Sequence, residues 1–118
     1  MENSWDTSPS ITSAPNRATV YGTEYNTGDY VVVGVCSTFS WPIFGQIESI
    51  ESSENHCRFT CRVVESVFNA HYHAYEVQFL TERTALIDHN ALLYSLPATM
   101  VVSRNGLVFL CIRHLVLE

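Results

Sequence analysis

Cysteine and histidine are the residue types in this sequence that most readily do chemistry. A thiol beside an imidazole can act as a nucleophile, and a group of such side chains can hold zinc. The candidates are Cys36, Cys57, Cys61, Cys111, His56, His71, His73, His89 and His114. No cysteine falls at a predicted helix N-terminus, a setting that lowers thiol pKa values. We therefore predict no catalytic residue and no enzymatic activity, with a thiol-dependent enzyme as a lesser alternative.

Metal binding is the second chemistry that these residue types allow. Cys57, Cys61, His71 and His73 have the composition of a Cys₂His₂ zinc site. Residues 56–67, however, alternate in polarity like a strand, in which side chains four positions apart lie roughly 13 Å apart. That distance is too long for two ligands of one zinc ion. We predict no metal site and no cofactor, with reduced cysteines packed in the core; a metal-binding protein stays a lesser alternative.

Charge and hydropathy limit the classes of partner. The 118 residues carry twelve carboxylates against six arginines and no lysine, a formal charge of −6. Nucleic-acid binding needs a dense cationic surface, so we expect no nucleic-acid partner and instead a protein or peptide of basic character. No apolar run approaches the ~18–20 residues that cross a bilayer, and we expect no membrane contact and a nuclear or cytoplasmic location. Arg58 and Arg62 are expected to pair with glutamates across strands.

The hydrophobic pattern predicts a small β-rich domain behind a polar leader. Residues 1–27 are rich in Ser, Thr, Asn and Pro and predict a flexible leader. Residues 28–118 predict a β-barrel interaction domain of about six antiparallel strands with one short helical segment. The strands are expected at 30–36, 43–50, 56–67, 72–80, 100–102 and 107–117, and a helical turn of four to eight residues within 81–96.

The C-terminal hairpin is the strongest local signal in the chain. Asn105-Gly106 between two apolar runs is typical of a type I′ turn, and the second run is apolar on both faces. More apolar surface is predicted here than one barrel can bury, so a second layer should cover it. The 81–96 segment, the leader and a second copy of the chain are the three candidates for that layer. The predicted interface residues are Val101, Val108, Leu110, Ile112 and Val116.

A group of aromatic residues suggests an alternative binding site. Phe39, Trp41 and Phe44 lie close together in sequence, and Tyr72 and Tyr75 follow on a later strand. Rings that converge beside a carboxylate attract a basic or methylated side chain through cation–π contacts. Glu48 is the predicted carboxylate. The favoured interpretation is that the same rings form the barrel core, because large aromatic residues of a small barrel are usually core residues; the cage is the alternative.

Two segments resemble known modules. The run from Gly28 to Val33 and the later run Phe44-Gly45-Gln46-Ile47-Glu48-Ser49-Ile50 are similar to the opening strands of bromo-adjacent-homology and Tudor-like modules. That resemblance implies an SH3-like β-barrel of the kind that binds peptides or other domains in chromatin and adaptor proteins. The full bromo-adjacent-homology domain is longer and has helical additions, so the resemblance implies an architecture and no specific binding residues.

A second resemblance covers the later part of the chain. Residues 71–77, 86–89 and 110–114 are similar to a C-terminal domain of uncharacterised, partly transposon-derived animal proteins. That resemblance implies no particular activity. The sequence as a whole predicts a non-enzymatic protein–protein interaction module that associates through its C-terminal hairpin, either with another protein or with a second copy of itself. An aromatic-cage reader of chromatin peptides is the alternative.

Overall fold

The computed structural model describes residues 11–14, 16–36, 41–53, 56–92, 94 and 96–112. These residues form a mainly β fold, as predicted. The nine strands are β1 (Ile11–Ala14), β2 (Arg17–Val20), β3 (Thr23–Asn26), β4 (Tyr30–Val35), β5 (Pro42–Ser52), β6 (Cys57–Asn69), β7 (Ala74–Asp88), β8 (Thr99–Val102) and β9 (Val108–Cys111). Among the described residues, no helix is long and apolar enough to cross a membrane.

A six-stranded antiparallel sheet forms the body of the molecule. Its strand order is β4-β5-β6-β7-β9-β8, and it curls into a half-barrel. The curl brings the two outer strands together at one point, where the amide of Ala98 donates a hydrogen bond of 2.8 Å to the carbonyl oxygen of Tyr30. The prediction of about six antiparallel strands is therefore confirmed.

The predicted boundary at residue 27 is wrong for the strands that precede it. β1, β2 and β3 form a second, three-stranded antiparallel sheet. Ala18, Val20 and Tyr25 from this sheet are buried almost completely. The polar residues between them made the short period-two pattern difficult to recognise in the sequence. Burial of these three side chains supplies the apolar area that a flexible leader lacks. Residues 17–26 therefore belong to the folded domain.

Two hydrophobic cores lie on opposite faces of the six-stranded sheet. The N-terminal core lies between the two sheets and contains Ala18, Val20, Tyr25, Val31, Ile47, Cys57, Phe59 and Cys61. The C-terminal core lies within the curl and contains Tyr30, Val32, Phe44, Val64, Leu110 and Ile112. Neighbouring side chains of β4 thus enter different cores, because successive residues of a strand point to opposite faces. Among the described residues, the N-terminal sheet forms a second layer over β4–β6, and Tyr94 of the 81–96 segment packs against the core that contains Leu110 and Ile112.

The segment 81–96 is less helical than expected. Residues 81–88 continue β7, paired with β6 as far as Asp88 opposite Arg58. The helical segment is a 3₁₀ turn of three residues, His89–Ala91, and the Asp88 carboxylate caps it by accepting a hydrogen bond from the amide of Asn90. Asp88, His89 and Asn90 therefore form a turn at the end of a strand and not part of a longer helix.

Candidate binding surfaces

The C-terminal hairpin divides the predicted interface residues into buried and exposed groups. Leu110 and Ile112 are buried in the chain's own C-terminal core, which removes them from any contact surface. Val108 is partly buried, whereas Val101 is exposed, at 51 %. Val116 lies outside the described residues. The exposed apolar surface is on the neighbouring strand β8, where only Val101 of the predicted interface residues lies.

β8 presents an unpaired backbone edge as well as apolar side chains. It pairs only with β9 and is the last strand of the six-stranded sheet within the described residues. Met100, Val101 and Val102 are each 51–56 % exposed. No charged residue lies in this strand, although charges are the usual protection of an exposed edge. β8 is therefore a surface on which another strand can pair.

Hydrogen-bonded and non-hydrogen-bonded pairs alternate along the hairpin, and this alternation shows which amides of β8 point away from β9. The amide of Ser103 donates to the carbonyl oxygen of Leu107 at 2.8 Å, so Val102 and Val108 form the next, non-hydrogen-bonded pair. The backbone groups of Met100 and Val102 therefore point away from β9, on the same side as the Ala98 amide that binds Tyr30. A second strand would find two donors and two acceptors on this edge.

The predicted aromatic site is divided between separate places. The Phe44 side chain is fully buried and contacts the ring of Tyr75 at a centroid distance of 5.3 Å. Tyr72 packs on Phe109 of the hairpin at 5.1 Å. Glu48 is bound by the guanidinium of Arg62, whose Nε lies 3.0 Å from Oε2. Phe39 lies outside the described residues. Of the predicted rings, only Trp41 and Tyr75 line one common groove.

That groove is a gap between two diverging hairpins, which we call the slot. β4 and β5 pair as far as Val35 opposite Pro42, and β6 and β7 pair as far as Asn69 opposite Ala74. Pairing between β5 and β6, however, begins only at Gly45 opposite Val63. The start of β5 and residues 64–67 of β6 consequently face each other without pairing. The slot has a volume of about 340 Å³ and is lined by Trp41, Ile43, Val64, Glu65, Val67 and Tyr75, among others.

A polar depression at the other end of β5–β7 was not predicted. Its walls include an ion pair between Arg58 and Glu51 at 3.5 Å, and His56 Nδ1 lies 3.7 Å from Asp88 Oδ2, a contact that is ionic only when the imidazole is protonated. The Arg58 and Glu51 side chains are largely exposed, and such a pair contributes at most about 1 kcal/mol. Arg58 and Arg62 both pair across strands with glutamates, as predicted. We interpret this depression as a feature of the place where β5 and β7 end and β6 begins, and not as a binding site. The Asp88 carboxylate already has a structural role there, because it caps the 3₁₀ turn.

Burial disfavours thiol chemistry at two of the four cysteines. Cys57 and Cys61 are buried in the N-terminal core. Burial raises the pKa of Cys57, and burial together with the Glu48 charge raises the pKa of Cys61 to about 12. A reactive thiol requires a shift in the opposite direction. Within the described part of the chain, no three His, Cys, Asp or Glu side chains are grouped so as to hold a metal ion.

Comparisons with protein-family models, with curated proteins and with solved structures found no match for this chain. Among the described residues, β8 and the slot are the candidate binding surfaces, because each has an unpaired strand edge.

Proposed function

We propose that this chain is a non-enzymatic protein–protein interaction domain that self-associates through the outer edge of β8. The observation that carries the proposal is the combination on one strand of a free backbone edge, three exposed apolar side chains and no charge. Soluble proteins normally blunt such an edge with lysine, proline or a bulge. Burial against another strand would remove the exposed apolar surface from water and satisfy the outward amides.

The edge is complementary to itself. In a two-fold antiparallel arrangement centred on Val101, Met100 of one copy would lie opposite Val102 of the second copy. Both residues direct their backbone groups outward, so each such pair would exchange two hydrogen bonds. The six-stranded sheet would then continue across the two-fold axis, an isologous contact of the kind most homodimers use. Only three strand residues per copy, 100–102, would pair, so we expect weak association, with Kd above ~1 μM.

Sedimentation equilibrium of the full chain over a wide concentration range tests this proposal. We expect the weight-average mass to rise with concentration for the natural chain and to stay monomeric for Val101→Lys, which places two like charges across the two-fold axis. Val35→Lys on β4, the opposite outer strand, is the matched control because Val35 is similarly exposed, at 47 %. This control should self-associate like the natural chain.

A proline substitution separates the backbone edge from the side chains. The amide of Val102 points outward, so Val102→Pro should remove a dimer hydrogen bond while leaving the pairing of β8 with β9 intact. We expect a folded monomer, verified by circular dichroism. A strictly monomeric natural chain at millimolar concentration, or equal effects of Val101→Lys and Val35→Lys, would contradict self-association through β8.

Recognition of basic peptides is a second candidate function. The observation in its favour is that Trp41 and Tyr75 line one slot together with the Glu65 carboxylate. The slot contains two of the predicted aromatic residues, and Glu65 has the role that was predicted for Glu48. The chromatin context suggested by the resemblance to bromo-adjacent-homology and Tudor-like modules belongs to this candidate, as does a nuclear location.

A further inference from the structure

The slot consists of two strand edges that should be neighbours and are not. Continuing the register of β5 and β6 beyond Gly45 and Val63 would place Phe44 opposite Val64 and Ile43 opposite Glu65. Neither pair forms. β5 stays with β4 there, while β6 stays with β7 through two register shifts, between Arg62 and Val64 and between Glu65 and Ser66. Bulges of this kind bend a strand away from its neighbour.

The slot has the surface properties of a binding groove. Trp41 and Val67 are 41 % and 44 % exposed although both are large apolar residues in or beside strands. The volume of about 340 Å³ is at the lower end of the range for ligand-binding clefts, which leaves room for a few side chains and not for a folded domain. Exposed apolar side chains beside a free strand edge are the features used when an extended peptide adds to a sheet.

Charge indicates the chemistry of the peptide. Glu65 belongs to β6, whose edge forms one wall of the slot, and among the described residues no ion-pair partner lies within 4 Å of its carboxylate. Arg83 also lines the slot, but it belongs to β7, one strand further from the gap between β5 and β6. The formal charge of −6 adds a general attraction for cations.

We propose that the slot binds an extended segment of a partner protein in which a basic residue stands between aliphatic residues. The basic side chain would lie beside Glu65, and an aliphatic side chain would contact Trp41 and Val67. This inference deepens the basic-peptide candidate function and is independent of self-association, because β8 and the slot share no residue. Loss of either function can therefore be observed without loss of the other.

Nuclear magnetic resonance titration of the ¹⁵N-labelled full chain tests the proposal with two synthetic peptides. One is acetyl-Ala-Val-Arg-Val-Ala-amide, and the other has glutamate in place of arginine. We expect the arginine peptide to shift the Trp41 indole signal and the amide signals of residues 64–67, and to bind about two- to fivefold more tightly than the glutamate peptide. That ratio is typical of one exposed ion pair.

Charge reversal provides the decisive comparison. Glu65→Arg should reverse the preference, so that the glutamate peptide binds more tightly, and the milder Glu65→Gln should abolish the preference. Glu82→Arg is the matched control, because it gives the same change of net charge at an exposed β7 residue. The control should keep the preference for the arginine peptide.

Three results would overturn the proposal. The first is the absence of shifts at the slot with either peptide. The second is an equal change of preference in Glu65→Arg and Glu82→Arg, which would indicate attraction by net charge alone. The third is a shift of the slot signals with protein concentration in the absence of peptide, which would make a second copy of the chain the occupant.

Discussion

At the scale of single residues, the packing of three neighbouring strands depends on the missing side chain of Gly45. A Cβ atom at Gly45 would lie 2.8 Å from the Cβ of Cys61 and 2.9 Å from Cγ1 of Val33. Real Cβ atoms do not approach that closely, and both neighbours are held in strands that pair with β5. Gly45 therefore fixes how closely β4, β5 and β6 pack on the N-terminal core.

Gly45→Ala should consequently destabilise the protein by about 1–3 kcal/mol, the usual cost of overpacking a core. The measurement is the free energy of unfolding from a urea titration. Gly34→Ala is the control, because the nearest atom to its added Cβ would be Cδ1 of Ile43 at an ordinary 3.9 Å. Equal stability of Gly45→Ala and Gly34→Ala would show that the strands can shift to accept the methyl group.

Two buried weak acids, the Tyr25 phenol and the Cys61 thiol, make the stability of the domain depend on pH in the alkaline range. Burial, with a smaller effect from a neighbouring acidic group, raises the pKa of both Tyr25 and Cys61 to about 12, from ordinary values of 10.0 and 9.0. Folding therefore favours their neutral forms. That stabilisation is complete below the unfolded-state pKa values and is lost as pH rises from about 9 towards 12.

Cys61→Ala should weaken this response. We expect the variant to be less stable at pH 7 because of the lost packing, yet to lose less further stability between pH 8 and pH 10.5 than the natural chain. Urea titrations under reducing conditions at the two pH values measure the difference. Cys36→Ala is the control, because Cys36 is only partly buried and lies outside both cores. An unchanged pH response in Cys61→Ala would contradict burial of an uncharged thiol.

At the scale of secondary-structure elements, the sequence predicts strands well and their surroundings less well. The period-two pattern of residues 56–67 gave the correct buried face of β6, with Cys57, Phe59 and Cys61 inside and Arg58 exposed. This pattern is local and needs only the alternation of a pleated strand. The partner of each face is not local, so nothing in the pattern could show that a separate sheet covers this one.

Two of the hairpin turns, β8–β9 and β2–β3, show how far the turn type can be predicted from the sequence. The Asn105-Gly106 signal correctly predicted a hairpin, but only Gly106 has a positive φ, 85°, and the Gly106 amide bonds to Ser103. A type I turn followed by a glycine bulge has these features, and it is not the predicted type I′ turn. The two-residue turn with two positive φ values is Tyr21-Gly22 between β2 and β3, where a tyrosine gave no such signal.

The candidate surfaces were less predictable than the strands. Four of the five predicted interface residues lie on or after β9, the more apolar strand of the hairpin, and only Val101 lies on β8. An inner strand of a sheet, however, is more buried than an edge strand. Sequence order could not reveal that β9 inserts between β7 and β8. The slot was equally hidden, because it results from bulges that divide two hairpins and not from any motif. Of the residues named here as lining the slot, the sequence indicates only Trp41 and Tyr75, as aromatic rings of either the core or a pocket.

At the scale of the whole molecule, the two cores share the same strands. β4, β5 and β6 each contribute to both cores, through Val31 and Val32 of β4, through Phe44 and Ile47 of β5, and through Phe59 and Val64 of β6. Loss of either core would expose one face of all three strands. The three-stranded N-terminal sheet and the C-terminal hairpin therefore belong to one cooperative unit, although they contribute to different cores.

This arrangement predicts a single unfolding transition that both cores control. Tyr25→Ala in the N-terminal core should cost about 3–5 kcal/mol, and Leu110→Ala in the C-terminal core about 2–5 kcal/mol. In each variant, tryptophan fluorescence and far-ultraviolet circular dichroism should report the same urea midpoint, as expected for a two-state transition. Tyr21→Ala, at a tyrosine that is 65 % exposed, is the control and should cost much less. If Tyr25→Ala instead unfolded only part of the chain, with two separate midpoints, the N-terminal sheet would be an accessory layer and the half-barrel would be stable without it.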